Sequence, residues 1–238
     1  MTYKEIYDVA MPPKKRAKEK FNFWVALVVR PLSIIFTIPL LKTSIKPTTI
    51  TKWSILASFI GFFLLILSND LMIKIVGWFF YFIWAILDGV DGNVARCKDQ
   101  CSNIGELWDA TGGYLTMILI YFSAGIIAYN DINIYDFCGI HNYIILGGAT
   151  SLFSIFPRLV LQKKKSQNVN SDVVNKLTDK SHFGLKQILV MNLVSASGFL
   201  QVVFLLSLIT HVMNFFILIY FLINLAMMII SLKSLLKE

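Results

Sequence analysis

Asp88, Asp91, Arg96 and Asp109 fall within 22 positions of a chain that is otherwise poor in charge. Asp88 and Asp91 stand three apart, so on a helix they share one face. Asp109 follows after a short turn, with Glu106 three residues before it on roughly the same helical face. Gly92, Ala95 and Gly105 have little or no side chain where two helices would meet, which leaves room for a flat ligand or for close packing. Arg96, five residues after Asp91, carries a fork suited to phosphate oxygens. Oxygen-rich clusters of this kind suit Mg²⁺, Mn²⁺ or Ca²⁺. Bare carboxylates at membrane depth would repel one another and lose their hydration. A divalent ion resolves that conflict, and a diphosphate substrate would need one. Two other readings of the same residues stay open: helix caps beside a turn, with glycine for packing, and an ion pathway.

The elements that must hold these residues read as membrane helices. The chain has 238 residues, 56% of them hydrophobic and 15% charged, against about 25% charged in a soluble domain. Its mean hydropathy is +0.67. Apolar runs of the length needed to cross ~30 Å of hydrocarbon predict spans at 49–68, 71–91, 104–128, 140–161, 186–209 and 212–232. Basic residues alternate between the connectors: Lys42, Lys46, Arg96, Lys98, Lys163 to Lys186, Lys233 and Lys237 fall on one side. Ser68 to Asp70, Asn130 to Asn142 and Thr210-His211 fall on the other. The positive-inside rule then sets both termini and the acidic cluster on the cytoplasmic side. Residues 22–45 contain Arg30-Pro31 within an apolar run, which reads as an amphipathic helix lying in the interface with Trp24 and Arg30 at headgroup level, a seventh, broken span being the alternative. Residues 1–21 are polar and basic, without the pattern of a cleavable signal. The expectation is therefore all-α: a basic segment 1–21, an interfacial helix 22–45 and a six-transmembrane-helix bundle 46–238. The net charge of +8 is explained by anchoring against anionic membrane lipid rather than by nucleic acid. Three cysteines are too few for a disulfide framework, and the Cys97, Cys101 pair reads as free thiols.

The stretch from Asp88 to Asp109 resembles the CDP-alcohol phosphotransferases. Their pattern, D-x-x-D-G-x-x-A-R, eight residues, then G-x-x-x-D-x-x-x-D, is matched here from Asp88 through Asp109 with the spacer intact. Lys46-Pro47-Thr48-Thr49-Ile50-Thr51 looks like the family's P-N-x-x-T entry to the first span, with Thr48 in place of Asn. The detailed likeness covers about residues 30–130. It implies transfer of a phosphoalcohol or phosphatidyl group from a CDP-linked donor to a lipid or phosphorylated acceptor, with release of CMP, usually in phospholipid synthesis. Carried over residue by residue, Asp88, Asp91 and Asp109 would hold Mg²⁺ or Mn²⁺ on the diphosphate. Gly92, Ala95, Arg96 and Gly105 would line the nucleotide site, joined by Pro47 and Thr51. The resemblance also implies a homodimer with the active site facing the cytoplasm; the Asn-, Ile- and Lys-rich usage suggests an AT-rich microbial genome, and the expected location is a microbial plasma (inner) membrane.

The last acid of the pattern is absent. Four residues after Asp109 this chain has Gly113, where the family has the Asp proposed as general base and second-metal ligand. Three accounts compete. The acceptor is already anionic, such as a prenyl or sugar phosphate, and needs no base. Or another group serves, with Glu106 and His182 as candidates. Or the chain is a catalytically silent relative that binds a CDP-linked ligand or regulates a partner enzyme. Arg158, near the end of the fourth span, is read either as a contact to an acceptor phosphate or as a snorkelling anchor. Asn192 is read as an interhelical hydrogen bonder, and the small-residue runs 147–149 and 195–198 as sites of close helix packing or a dimer seam.

Overall fold

The computed structural model describes residues 1–19, 22–131, 139, 142–166 and 192–236, and the described residues form helices and connectors without a strand. Two short helices open the chain, α1 (Tyr3–Ala10) and α2 (Pro13–Glu19). Thr2 and Glu5 cap α1 reciprocally: Thr2 Oγ1 accepts from Glu5 N–H at 3.4 Å, and Glu5 Oε2 accepts from Thr2 N–H at 2.9 Å. A π-helical turn, Val25–Val29, then runs directly into α3 (Arg30–Leu41). Pro31 explains the junction, because it has no N–H to give and crowds the preceding turn, so the backbone widens ahead of it.

Four long helices follow: α4 (Pro47–Leu67), α5 (Leu71–Cys97), α6 (Asn103–Asn130) and α7 (Asn142–Ser166). The chain closes with α8 (Leu200–Ile209) and α9 (Met213–Leu235). Asp70 caps α5 by accepting from Met72 and Ile73 N–H at 2.7 and 3.2 Å. Ser102 caps α6 by accepting from Gly105 N–H at 3.0 Å. Asp99 takes a left-handed φ of 53° in the tight turn between them, a conformation that aspartate tolerates better than most residues.

Among the described residues, five helices are long and apolar enough to cross a membrane: α4, α5, α6, α7 and α9. Four agree with the expected spans to within about one helical turn. The exception is α5, which continues to Cys97 and so carries the whole stretch from Asp88 to Arg96 on helix. The expected span 186–209 is the sixth. Residues 186–191 lie outside the described residues, and its described part ends in the ten-residue α8. Lys98, just past α5, ties its neighbours together by donating to the carbonyls of Leu40, Thr43 and Ile45 at 3.3, 2.6 and 3.2 Å.

Helices in lipid gain little from hydrophobic burial against one another, so close backbone approach has to supply the packing. α4 packs along α5, and α6 along α7. A Cβ at Gly77 would lie 2.9 Å from the Gly61 carbonyl oxygen, and one at Gly147 would lie 3.0 Å from Gly125 Cα. Larger residues at these crossings would push the helices apart. α4 touches both α5 and α6, whereas α5 and α6 hardly touch each other. The two halves of the acidic motif therefore sit on helices held apart by a third.

Candidate functional site

Between α5 and α6 lies a cavity of about 640 Å³. Asp88, Asp91 and Asp109 all line it, and so does Glu106. Gly92, Ala95, Arg96 and Gly105 contribute to the same wall, and Pro47 and Thr51 reach it from the start of α4. One space thus gathers every site residue expected from the sequence except Arg158 and His182.

Each acid is held differently. Asp91 is buried at 4% exposure and accepts a 2.5 Å hydrogen bond from Thr51 Oγ1. Thr51 can offer this bond because Pro47, in the first turn of α4, starts the helix that sets it opposite α5. Asp88 and Asp109 meet side chain to side chain and also line a second cavity described below. Gly92 leaves room for Arg96: a Cβ there would stand 3.0 Å from Arg96 Nη2. The guanidinium folds back over that glycine and donates to Asn93 Oδ1 at 3.4 Å, while its buried Nε has no partner.

Asn93, not singled out from the sequence, is fully buried at the centre of a polar network. Its amide donates to Ser33 Oγ and Thr37 Oγ1 at 3.3 and 3.2 Å, and its oxygen accepts from Arg30 Nη1 at 3.3 Å. Arg30 turns inward against the protein, 9% exposed, and pairs with both carboxylate oxygens of Glu19 at 2.5 and 2.9 Å. Burial of a charged fork demands such a partner. The partner stands eleven residues earlier in another helix, so no local pattern announces it.

A second cavity of about 530 Å³ adjoins the first and shares Asp88, Asp109, Asn22 and Ser197 with it. Gly113 and Arg158 line this second space, together with Tyr114 and Trp84. Arg158 contacts Met117 Sδ. Trp84 Nε1 is a buried donor without a partner. A Cβ at Gly113 would meet nothing within 4 Å. Asn22 Nδ2 donates to Ser195 Oγ at 3.0 Å, and Phe23 N–H donates to Asn192 Oδ1 at 2.9 Å. Asn192 is thus a bridge between elements. His182 lies outside the described residues.

Among the described residues, no three His, Cys, Asp or Glu side chains are arranged as a ready metal site. The carboxylates of Asp88, Asp91, Asp109 and Glu106 and the hydroxyl of Thr51 in the first cavity are nonetheless of the right chemistry, being the hard oxygen ligands that Mg²⁺ and Mn²⁺ take. Three acids suffice for one ion that keeps some of its water.

The chain matches the family described as CDP-alcohol phosphatidyltransferase over residues 44–232. A search of curated proteins returned no match.

Proposed function

The chain belongs to the CDP-alcohol phosphatidyltransferase family, and on that premise we propose that it is a membrane phosphotransferase that divides its substrates between the two adjoining cavities. The CDP-linked donor takes the first cavity and the acceptor takes the second. The observation that carries this reading is that the cavities share the Asp88–Asp109 pair, so a donor phosphorus held beside that pair is open to both sides. An acceptor oxygen from the second cavity bonds to that phosphorus. The bond between it and the bridging oxygen breaks, and CMP leaves with the bridging oxygen and the negative charge.

Divalent Mg²⁺ or Mn²⁺ held by Asp88, Asp91 and Asp109 would neutralise the diphosphate and ease the departure of CMP. Thr51 fixes the orientation of Asp91. Arg96, resting on Gly92 in the cavity wall, would supply its fork to phosphate oxygens. Gly92, Ala95 and Gly105 leave the wall smooth enough for the nucleotide.

Gly113 decides the acceptor. An alcohol with a pKa near ~16 must lose its proton to a base, and position 113 supplies none. Glu106 lines only the first cavity. An acceptor whose attacking oxygen is already ionised needs no base, and Arg158 offers the second cavity a cation for it. A lipid-linked or sugar phosphate has that chemistry.

Around this centre the reading has six spans, with residues 186–209 completing the bundle and α3 lying along the interface. The site and both termini face the cytoplasm of a microbial plasma (inner) membrane. For the homodimer, an added Cβ at Gly148 would meet nothing within 4 Å among the described residues, which leaves room there for another helix. The test is CMP release by purified protein in lipid, across CDP-linked donors and with Mg²⁺ or Mn²⁺, using Asp91→Asn as the matched control. Metal-dependent CMP release that the control loses is the expected result. Binding of CDP-linked ligands without any CMP release would instead identify a silent, ligand-binding relative.

A further inference from the structure

Ahead of residue 44, where the match to the family begins, three charged side chains reach the first cavity: Lys15 and Glu19 from α2, and Arg30 from α3. Two of them satisfy each other. Glu19 grips Arg30 with both carboxylate oxygens. The ammonium of Lys15 stands 3.9 Å from Glu19 Oε1, beyond hydrogen-bond reach, and that oxygen already serves Arg30. Lys15 is therefore the cation on this wall whose hydrogen-bonding capacity is least used.

The segment is built to keep it there. α1 seats Ile6, Ala10 and Met11 against Ile34, Ile38 and Leu41. Arg16 fastens α2 to α1 by donating to Asp8 Oδ1 at 2.6 Å and to the Met11 carbonyl at 2.5 Å. A basic tail that only touched anionic lipid would need neither the docked apolar face nor the clasp. The placement also opposes simple electrostatics. Burial, with the guanidinium groups of Arg30 and Arg96 nearby, pulls the Lys15 pKa down from its ordinary value to about 8. Cations gathered on one wall against that resistance fit a cavity that receives an anion.

We propose that Lys15 is a substrate-binding residue whose ammonium contacts the phosphate oxygens of the nucleoside diphosphate-linked donor, and that the Glu19–Arg30 pair holds α2 in position for it. This rests on the first cavity being the donor site. It adds a binding residue from outside the region that the family match covers, and makes the N-terminal segment a wall of the site.

The experiment measures binding of CDP, CMP and cytidine to the full chain in lipid nanodiscs with Mg²⁺. Lys15→Met is expected to weaken CDP about tenfold, the scale of one charge-assisted hydrogen bond, to weaken CMP less and to leave cytidine unchanged. Lys15→Arg should bind CDP within about threefold of wild type. CDP binding unchanged in Lys15→Met, or a loss equal for CDP and cytidine, overturns the proposal. The donor-site reading has its own control. Asp91→Asn should abolish the Mg²⁺ dependence of CDP binding whatever Lys15 does. If wild type shows no such dependence, the donor-site reading fails, and the role of Lys15 with it.

Discussion

Replacing Gly113 with aspartate tests the division of labour between the cavities, because the new side chain enters open space. An added Cβ meets nothing within 4 Å, so no overpacking cost arises. On the helix, aspartate is better than glycine by a few tenths of a kcal/mol. Its charge, one turn from Asp109, costs about 0.2–0.5 kcal/mol. Stability should therefore barely change, and the melting temperature of Gly113→Asp should stay within a few degrees of wild type. Function should change in two directions. For alcohol acceptors the variant gains a general base, a device worth ~10²–10⁴ in rate; about 100-fold is expected where the base has not been optimised. For anionic acceptors it adds a like charge to the second cavity. At ~6 Å and an effective dielectric of ~20 that costs about 3 kcal/mol, so phosphate acceptors should lose one to two orders of magnitude in kcat/KM. The assay is CMP release with paired acceptors, one a neutral alcohol and one a phosphate. If both rates are unchanged in a folded variant that still binds CDP, position 113 does not face the acceptor, and the argument from its lost acid collapses.

Three further outcomes follow from the geometry. Thr51→Val removes the 2.5 Å bond to Asp91, a charge-assisted contact worth about 1.5–3 kcal/mol; CMP release should fall at least tenfold, and Thr51→Ser should recover it. Gly77→Ala places a Cβ 2.8 Å from Leu65 Cγ and 2.9 Å from the Gly61 carbonyl. An overpacking cost of about 1–3 kcal/mol should lower the melting temperature, with CDP affinity at low temperature preserved. The Lys15 pKa, lowered to about 8 by burial and by Arg30 and Arg96 against the opposing pull of Glu19 and Asp109, gives a pH signature. The side chain is charged below that value and neutral above it, so CDP affinity should fall from pH 7 to pH 9. In Lys15→Met the pH dependence should flatten, and an equally steep profile there would assign the titration to another group.

The acidic motif was legible because its parts are local. Three-residue spacing on one helix, a short turn and a capped helix start put Asp88, Asp91 and Asp109 in one cavity. Thr51 was legible through the Pro47 entry to α4. The N-terminal wall was not, although Thr2 and Glu5 form a capping box and could have announced α1. Arg30 read as an edge residue because it interrupts an apolar run, and only the fold reveals Glu19 against it. The second cavity depends on contacts such as Asn22 to Ser195, 173 positions apart, which no window of sequence contains. Gly113 was legible as a departure from a pattern; that it borders a separate space beside Arg158 was not.

The family match begins at residue 44, but the first cavity does not. A chain shortened to start there would keep every residue of the acidic motif and lose the wall that carries Lys15, Glu19 and Arg30. Bulk water would then gain a side entrance to the donor phosphorus. Such a chain should behave as a hydrolase, releasing CMP with no acceptor present. The N-terminal helices would in that light be what makes the protein a transferase, by deciding which oxygen reaches the donor first.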